Sequence, residues 1–328
     1  MLVLQNSLKT KLMDELKKYI QETFKIDAVK FLEILKTNPN ARQNINGILG
    51  EMLFKEYAEE KGYHVLRIKE KPEGGDDAKS SEARGDFYIK KKDLQKDEWI
   101  VVECKNFKSN SEKRVGLTNR DTCINLLIKH SIKRKEFVES IYKSGEKEYQ
   151  RVKANWEKGN PGQVFPPFNW SKLSPGPGIP DLTGLWNDEK EVAEWIHSFP
   201  DDDFSEASFS NLKAPIRLLQ THMPSTREDP ITKIESTGPL VGEFSILCVD
   251  LFFKTGKHEF VFANSYQLNH QRSSPNHLQQ NYTVDILTSK DGFSKHDLLE
   301  PWFDDIDKCI ADSKPIPRKL DESQLDGR

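Results

Sequence analysis

Residues 85–89 (Gly-Asp-Phe-Tyr-Ile) and 99–105 (Trp-Ile-Val-Val-Glu-Cys-Lys) constrain this 328-residue chain more than any other segment. Both runs favour strands, and the polar residues 90–98 between them form a hairpin connection. Successive strand side chains point to opposite faces, so Glu103 and Lys105 share one face while Ile100, Val102 and Cys104 share the other. If the chain folds back symmetrically about Leu94 and Gln95, Asp86 falls opposite Glu103, with Cβ atoms about 5 Å apart. Two carboxylates that close repel unless a cation lies between them or a proton neutralises one. Carboxylate oxygens without thiolate or imidazole suit a hard ion such as Mg²⁺. The plainer alternative is a solvated hairpin end, since Glu15-Leu16-Lys17 and Glu59-Glu60-Lys61 repeat the spacing on ordinary helix faces. The setting favours a site: here the charges close an apolar, β-branched run, where burial without a partner is costly.

A third carboxylate lies upstream. Residues 44–61 carry Ile45, Ile48, Leu49, Met52 and Leu53 at helical spacing, which predicts an amphipathic helix packing on that stripe. Glu51 lies off the stripe, on a flank with Gly47, Phe54 and Ala58. Gly47 and Gly50 each weaken a helix by about 1 kcal/mol relative to Ala, a cost understandable if a backbone or ligand must approach closely. Taken alone, Glu51 reads rather as an exposed glutamate; beside Asp86 and Glu103 it becomes a candidate member of the site.

A helix bearing Glu51, a strand at residues 62–66, the strand-borne Asp86 and then Glu103-Cys104-Lys105 together resemble the PD-(D/E)XK nuclease superfamily, which includes many type II restriction endonucleases. The resemblance covers residues 40–145. It implies an α/β (α+β) fold with a restriction-endonuclease-like core, a mixed central sheet flanked by helices. It also implies that Asp86, Glu103 and Glu51 bind Mg²⁺ and that Lys105 is the motif lysine, orienting the attacking water or stabilising developing charge. Gly85 departs from the pattern, which often has proline before the aspartate. The implied activity is Mg²⁺-dependent hydrolysis of phosphodiester bonds in double-stranded DNA, foremost as a sequence-specific restriction enzyme. Another nuclease of the superfamily, structure-selective or defence-associated, and an inactive DNA-binding module of the same fold are the alternatives. Cutting both strands at a symmetric sequence is simplest with two sites related by a two-fold axis, so a homodimer is expected.

The formal net charge of −3 excludes a bulk polycation; DNA binding then requires segregated charge. Lys108, Lys113 and Arg114 follow the candidate site, and Lys133 and Arg134 continue the basic run on a predicted helix, as a phosphate-contacting rim or a solvated face. The amide-rich segment 264–282 contains Arg272, Asn276 and Gln279, residue types that read base edges in the major groove, although polar loops share this composition. The four cysteines, at 104, 123, 248 and 309, form no C-x-x-C pair, which argues against zinc and disulfides, and Cys104 and Cys123 read as buried thiols in a reducing compartment. No signal peptide and no apolar run near 20 residues is seen. A cytoplasmic protein of a prokaryotic cell, acting on nucleoid DNA and not at a membrane, is expected.

Along the chain, residues 1–40 form an N-terminal helical segment, with one or two amphipathic helices over 8–37, and 41–158 form the nuclease-like core. Within it, 118–156 is largely helical, with Gly145 as a possible break. Residues 159–185 are a Pro/Gly-rich linker or loop. The α+β region 186–312 contains a helix at 189–197, a hairpin from 244–253 and 258–262, and a strand at 282–287. It either completes the core sheet or forms a separate recognition domain. Residues 313–328 read as a flexible tail.

Overall fold

The computed structural model describes residues 2–69, 84–94, 96–108, 110–168, 179–293, 298 and 300–327. The chain divides into two compact units, residues 1–49 and 50–328. The first unit holds α1 (Leu2–Phe24), α2 (Ala28–Thr37) and the opening of α3 (Pro39–Glu60). Asp27 starts α2 by accepting a 2.9 Å hydrogen bond from the Lys30 amide, and Asn38 starts α3 by accepting from Asn40 and Ala41. Pro39 costs nothing in the first turn, where its missing N–H has no helical acceptor.

The second unit is built on β1 (Tyr63–Arg67), β2 (Phe87–Lys91) and β3 (Ile100–Asn106), followed by α4 (Ser111–Arg114), α5 (Arg120–His130) and α6 (Arg134–Gly159). Then come α7 (Glu189–His197), α8 (Glu206–Ser210), β4 (Ile216–Gln220), β5 (Thr226–Glu228) and β6 (Glu235–Thr237). The chain closes with β7 (Ile246–Asp250), α9 (Phe252–Thr255), β8 (Phe260–Asn264), β9 (Thr283–Thr288) and α10 (Ile306–Ser313). The result is a mixed α/β fold whose main sheet has the order β1-β2-β3-β7-β8. Its pairings are antiparallel except β3 with β7. A parallel pair needs a crossover, and residues 107–245 supply it. Segments 244–253 and 258–262 thus extend the sheet that carries β3, joined by the short helix α9.

Hydrophobic clusters set the layers. On one face of the sheet, Phe54 and Ala58 of α3 and Ile306 and Cys309 of α10 pack with Phe87, Val102, Cys104 and Phe262. The other face meets Leu219, Val284 and Leu287 of the β4–β9 ribbon, where a bulge opposite Leu219 and Gln220 turns Val284 out of step with Ile286. Alternation along that ribbon turns Ile216, Leu218 and Ile286 the opposite way, toward α5 and α7. All four cysteines are buried free thiols.

The structure corrects some sequence expectations and supports others. The stripe expected to bury α3 is largely exposed: Ile45, Ile48, Leu49 and Met52 are 36–52% accessible. The sheet instead receives the row Gly50, Phe54 and Ala58, whose i, i+4 spacing presents one large ring between two small residues; Phe54 lies 5.7 Å from Phe87 and 6.3 Å from Phe262. Gly50 does permit close approach, since a Cβ there would sit 3.1 Å from Asn106 Oδ1 and 3.2 Å from Asp250 Oδ2, whereas Gly47 meets nothing. Gly145 does not break its helix; it is buried within α6, where a Cβ would overlap the Arg272 guanidinium. The 313–328 segment is not a loose tail: Arg318 and Trp99 exchange 2.7 Å backbone hydrogen bonds, Gln324 accepts from the buried Tyr88 hydroxyl, and the Asp326 amide donates to Arg67. Lastly, only part of the Pro/Gly-rich stretch can be compared, because 169–178 lie outside the described residues; within it, Phe165 is buried and Pro166 accepts from Tyr149.

Candidate active site

The β2–β3 hairpin has the register of the symmetric fold-back, with Phe87 opposite Val102 and Ile89 opposite Ile100. Asp86 lies just beyond the ladder. Its N–H donates to Val102 O at 2.8 Å, and its Oδ2 accepts from the Cys104 amide at 2.7 Å. The carboxylate is therefore fastened beside Glu103 by a backbone bond to the next residue. Gly85 makes this possible: a Cβ there would lie 2.6 Å from Val101 Cγ1 and 2.8 Å from Val102 O. Neither proline nor alanine could pass the strand so closely, which gives the departure from the proline pattern a steric cause.

Glu103 and Lys105 share a face and are in direct contact. Burial, then the charge of Asp86, pushes the Glu103 carboxyl up to about 8, with Lys105 pulling the other way and Glu243 adding to the push. Burial works against the Lys105 ammonium, but the charges of Glu103 and Asp86 outweigh it and hold its pKa above the usual lysine range. The site thus combines an excess of negative charge with a lysine kept protonated. Both side chains still reach solvent, Glu103 at 15% and Lys105 at 28%.

Glu51 accepts an ion pair from Arg67 Nη2 at 2.7 Å, joining α3 to the end of β1. The residues of the expected DNA rim are dispersed. Lys108 is buried, with Nζ 3.3 Å from Asn281 Oδ1, and burial followed by the charge of Arg114 pulls its pKa below the usual range. Lys113 pairs with Glu206 at 2.7 Å, Lys133 with Glu189 at 2.6 Å, and Arg134 with Asp181 at 3.4 Å, while Arg114 is exposed. Arg272 lies across α6 at Gly145. The Gln279 amide donates to His270 O at 3.0 Å, and Asn276 accepts from Val241 through its backbone.

Glu243, Arg84 and Arg227 went unnoticed in the sequence. Glu243, 7% exposed, accepts from Arg227 Nε at 2.8 Å and faces Arg84 Nε at 3.6 Å. Arg84 stands two residues before Asp86, the one local hint available.

Among the described residues no three His, Cys, Asp or Glu side chains gather closely enough to hold a metal by themselves. Two carboxylates nonetheless fit Mg²⁺, which commonly takes one or two protein carboxylates and completes its shell with water and phosphate oxygens. The proton-attracting surplus at Glu103 marks where a cation would relieve repulsion. No protein-family model, curated protein or solved structure matches this chain.

Proposed function

We propose that this protein is a metal-dependent endonuclease of the PD-(D/E)XK, restriction-endonuclease-like type, hydrolysing phosphodiester bonds of double-stranded DNA as a homodimer. The observation that carries the reading is the Asp86–Glu103–Lys105 cluster, two neighbouring carboxylates and a protonated lysine at one end of a hairpin. The sheet lends support: a helix, three antiparallel strands, a crossover, and a fourth strand parallel to the third is the arrangement expected of such a core. Among the described residues no helix is long and apolar enough to cross a membrane.

Asp86 and Glu103 would hold Mg²⁺, which when bound supplies Lewis-acid polarisation of a phosphoryl oxygen and a water of lowered pKa. Asp86 can keep its orientation throughout because the Cys104 amide fixes one oxygen. Lys105 remains an ammonium in the field of Glu103 and Asp86, so it acts by donating hydrogen bonds to the attacking water or to the developing charge, not as a base. Glu51, drawn to Arg67, would support the site from α3.

The test is cleavage of mixed plasmid DNA by the wild type with Mg²⁺ and with EDTA, alongside Glu103→Ala. Discrete bands that vanish with EDTA and in the variant support a sequence-specific nuclease; smearing supports a nuclease without specificity. Absence of any cleavage by the wild type with Mg²⁺ or Mn²⁺ overturns the reading. Light scattering with and without DNA tests the dimer.

A further inference from the structure

Two arginines meet on one buried carboxylate beside the Asp86–Glu103 pair. Glu243 is fixed at both ends: Oε2 accepts from the Leu240 amide at 3.1 Å, and its backbone carbonyl accepts from the Arg84 amide at 2.9 Å. Oε1 of Glu243 takes Arg227 Nε at 2.8 Å and lies 3.6 Å from Arg84 Nε. Both guanidinium groups therefore address Glu243 through Nε. Arg227 Nη1 donates to Thr226 O at 3.0 Å. Among the described residues, Arg227 Nη2 and both Nη groups of Arg84 make no hydrogen bond to protein. The two side chains are 29% and 22% exposed, so these donors can be reached from outside.

One carboxylate faces two guanidinium groups. A brace needs only one arginine on Glu243; the second adds a set of planar donors beside the reactive carboxylates. Guanidinium forks match phosphate oxygens in geometry as well as charge. Arg84 is two residues from Asp86; the Arg84 amide donates to Glu243 O and the Asp86 amide to Val102 O, one residue before Glu103. An anion gripped here would sit next to the place where a cation relieves Asp86 and Glu103.

We propose that Arg84 and Arg227 form a clamp for a backbone phosphate of a nucleic-acid strand, held open by Glu243 as a positioning residue. The clamp rests on the nuclease reading and adds to it the group that fixes the strand beside the carboxylates. It places the DNA-facing positive charge on the rim of the β2–β3 hairpin, apart from the lysines of α4 and α6.

The experiment is fluorescence anisotropy of a labelled duplex on the full chain, over a salt series, with Ca²⁺ replacing Mg²⁺ to limit cleavage. Arg84→Ala and Arg227→Ala are each expected to weaken binding on the order of tenfold and to shrink the salt slope by about one unit. Arg84→Lys is expected to retain the slope and recover only part of the affinity, because charge remains while the fork is lost. Calorimetric titration of Ca²⁺ without DNA should be unchanged in Arg227→Ala, showing that the carboxylates are intact. Circular dichroism melts accompany every variant, and Arg227, more exposed than Glu243, is the safer substitution should Glu243→Gln fail to fold. Arginine variants that bind duplex like wild type with an undiminished slope, and lose only melting temperature, overturn the clamp and leave a structural brace. A wild type that binds neither duplex nor divalent cation overturns the nuclease reading instead.

Discussion

Glu112 and Lys254 form an ion pair with side chains 2% and 3% exposed, whereas Glu103 and Lys105, in equally direct contact, remain 15% and 28% exposed. The two pairs differ in their surroundings more than in themselves. Glu112 accepts from the Leu218 amide at 3.1 Å, touches Lys254 and lies in the field of Arg217, so donors and positive charge more than meet its one negative charge. Glu103 has a second carboxylate at Asp86 and a third at Glu243 acting on it. The first pair is saturated and ties α4 to β4 and α9; the second stands among further carboxylates, where a bound cation would relieve the repulsion. A glutamate–lysine pair out of bulk solvent is thus not itself a site. Unbalanced charge with a route to solvent is what separates the two.

The largest effect that could break this comparison is catalytic. Asp86→Ala and Glu103→Ala should each reduce plasmid cleavage at least about a thousandfold, roughly 4 kcal/mol in the barrier, while thermal melts hold steady or rise as repulsion is relieved. A variant with near-wild-type cleavage would remove that residue from the site. Lys105→Ala should lose cleavage yet still bind Ca²⁺ by calorimetry.

The saturated pair should answer in the opposite currency. Lys254→Met leaves Glu112 charged and buried, and should cost about 3–5 kcal/mol in urea unfolding. Combining it with Glu112→Leu should restore much of that stability, because the buried charge is gone. Should Lys254→Met prove harmless, the contrast between a structural and a reactive pair would collapse.

His130 extends the comparison to a buried group with a neutral partner. Its ring Nδ1–H donates to Pro180 O at 3.1 Å. Burial outweighs that bond, and with Lys129 and Arg134 against protonation and Asp181 for it, the pKa falls to about 4. The folded state then binds fewer protons than the unfolded state between pH 4 and the ordinary histidine value. Its contribution is full above about pH 6.5 and is lost as pH falls toward 4, up to roughly 3 kcal/mol. His130→Asn, which keeps an amide donor, should flatten the pH dependence of urea midpoints across that window; identical profiles would refute the assignment.

How much of this was legible beforehand depended on sequence distance. The hairpin, its register and the convergence of Asp86 with Glu103 followed from alternation and one symmetric turn, all within twenty residues. The packing face of α3 did not, because counting apolar residues favoured the broad stripe of Ile48, Leu49 and Met52, while the sheet selected the narrower row Gly50, Phe54 and Ala58. Glu243 and Arg227 were invisible for another reason. They reach the hairpin only because β3 pairs with β7 across the long crossover, and no local pattern announces a partner so far along the chain. The C-terminal segment reads as loose by composition, yet its backbone is tied to the sheet by hydrogen bonds such as those between Arg318 and Trp99, which composition does not announce.

Gly85 offers a smaller and more local test. With a Cβ due to overlap Val101 and the Val102 carbonyl, Gly85→Ala should cost about 1–3 kcal/mol in stability. Cleavage should fall by more than the loss of folded protein explains, because Asp86 shifts from the Cys104 amide. Equal losses in both would mean that Gly85 serves the fold alone.

The smallest expected effect lies on the surface. Lys113 and Lys133 are held by Glu206 and Glu189 with all four side chains about half exposed or more. Solvent and salt screen such pairs, so alanine at either lysine should change stability by less than about 1 kcal/mol. Their part in DNA binding should be correspondingly weak. A phosphate that recruits either ammonium must first take it from a protein carboxylate, so fewer counterions are released on balance than at a free cation. The salt slope for duplex binding should therefore fall by less than about one unit in Lys133→Ala. Set beside Arg84→Ala, where a full unit is expected, this measurement sharpens the distinction between a cation whose donors are already taken in the fold and one whose donors are left for a ligand. Equal slopes for the two variants would erase it.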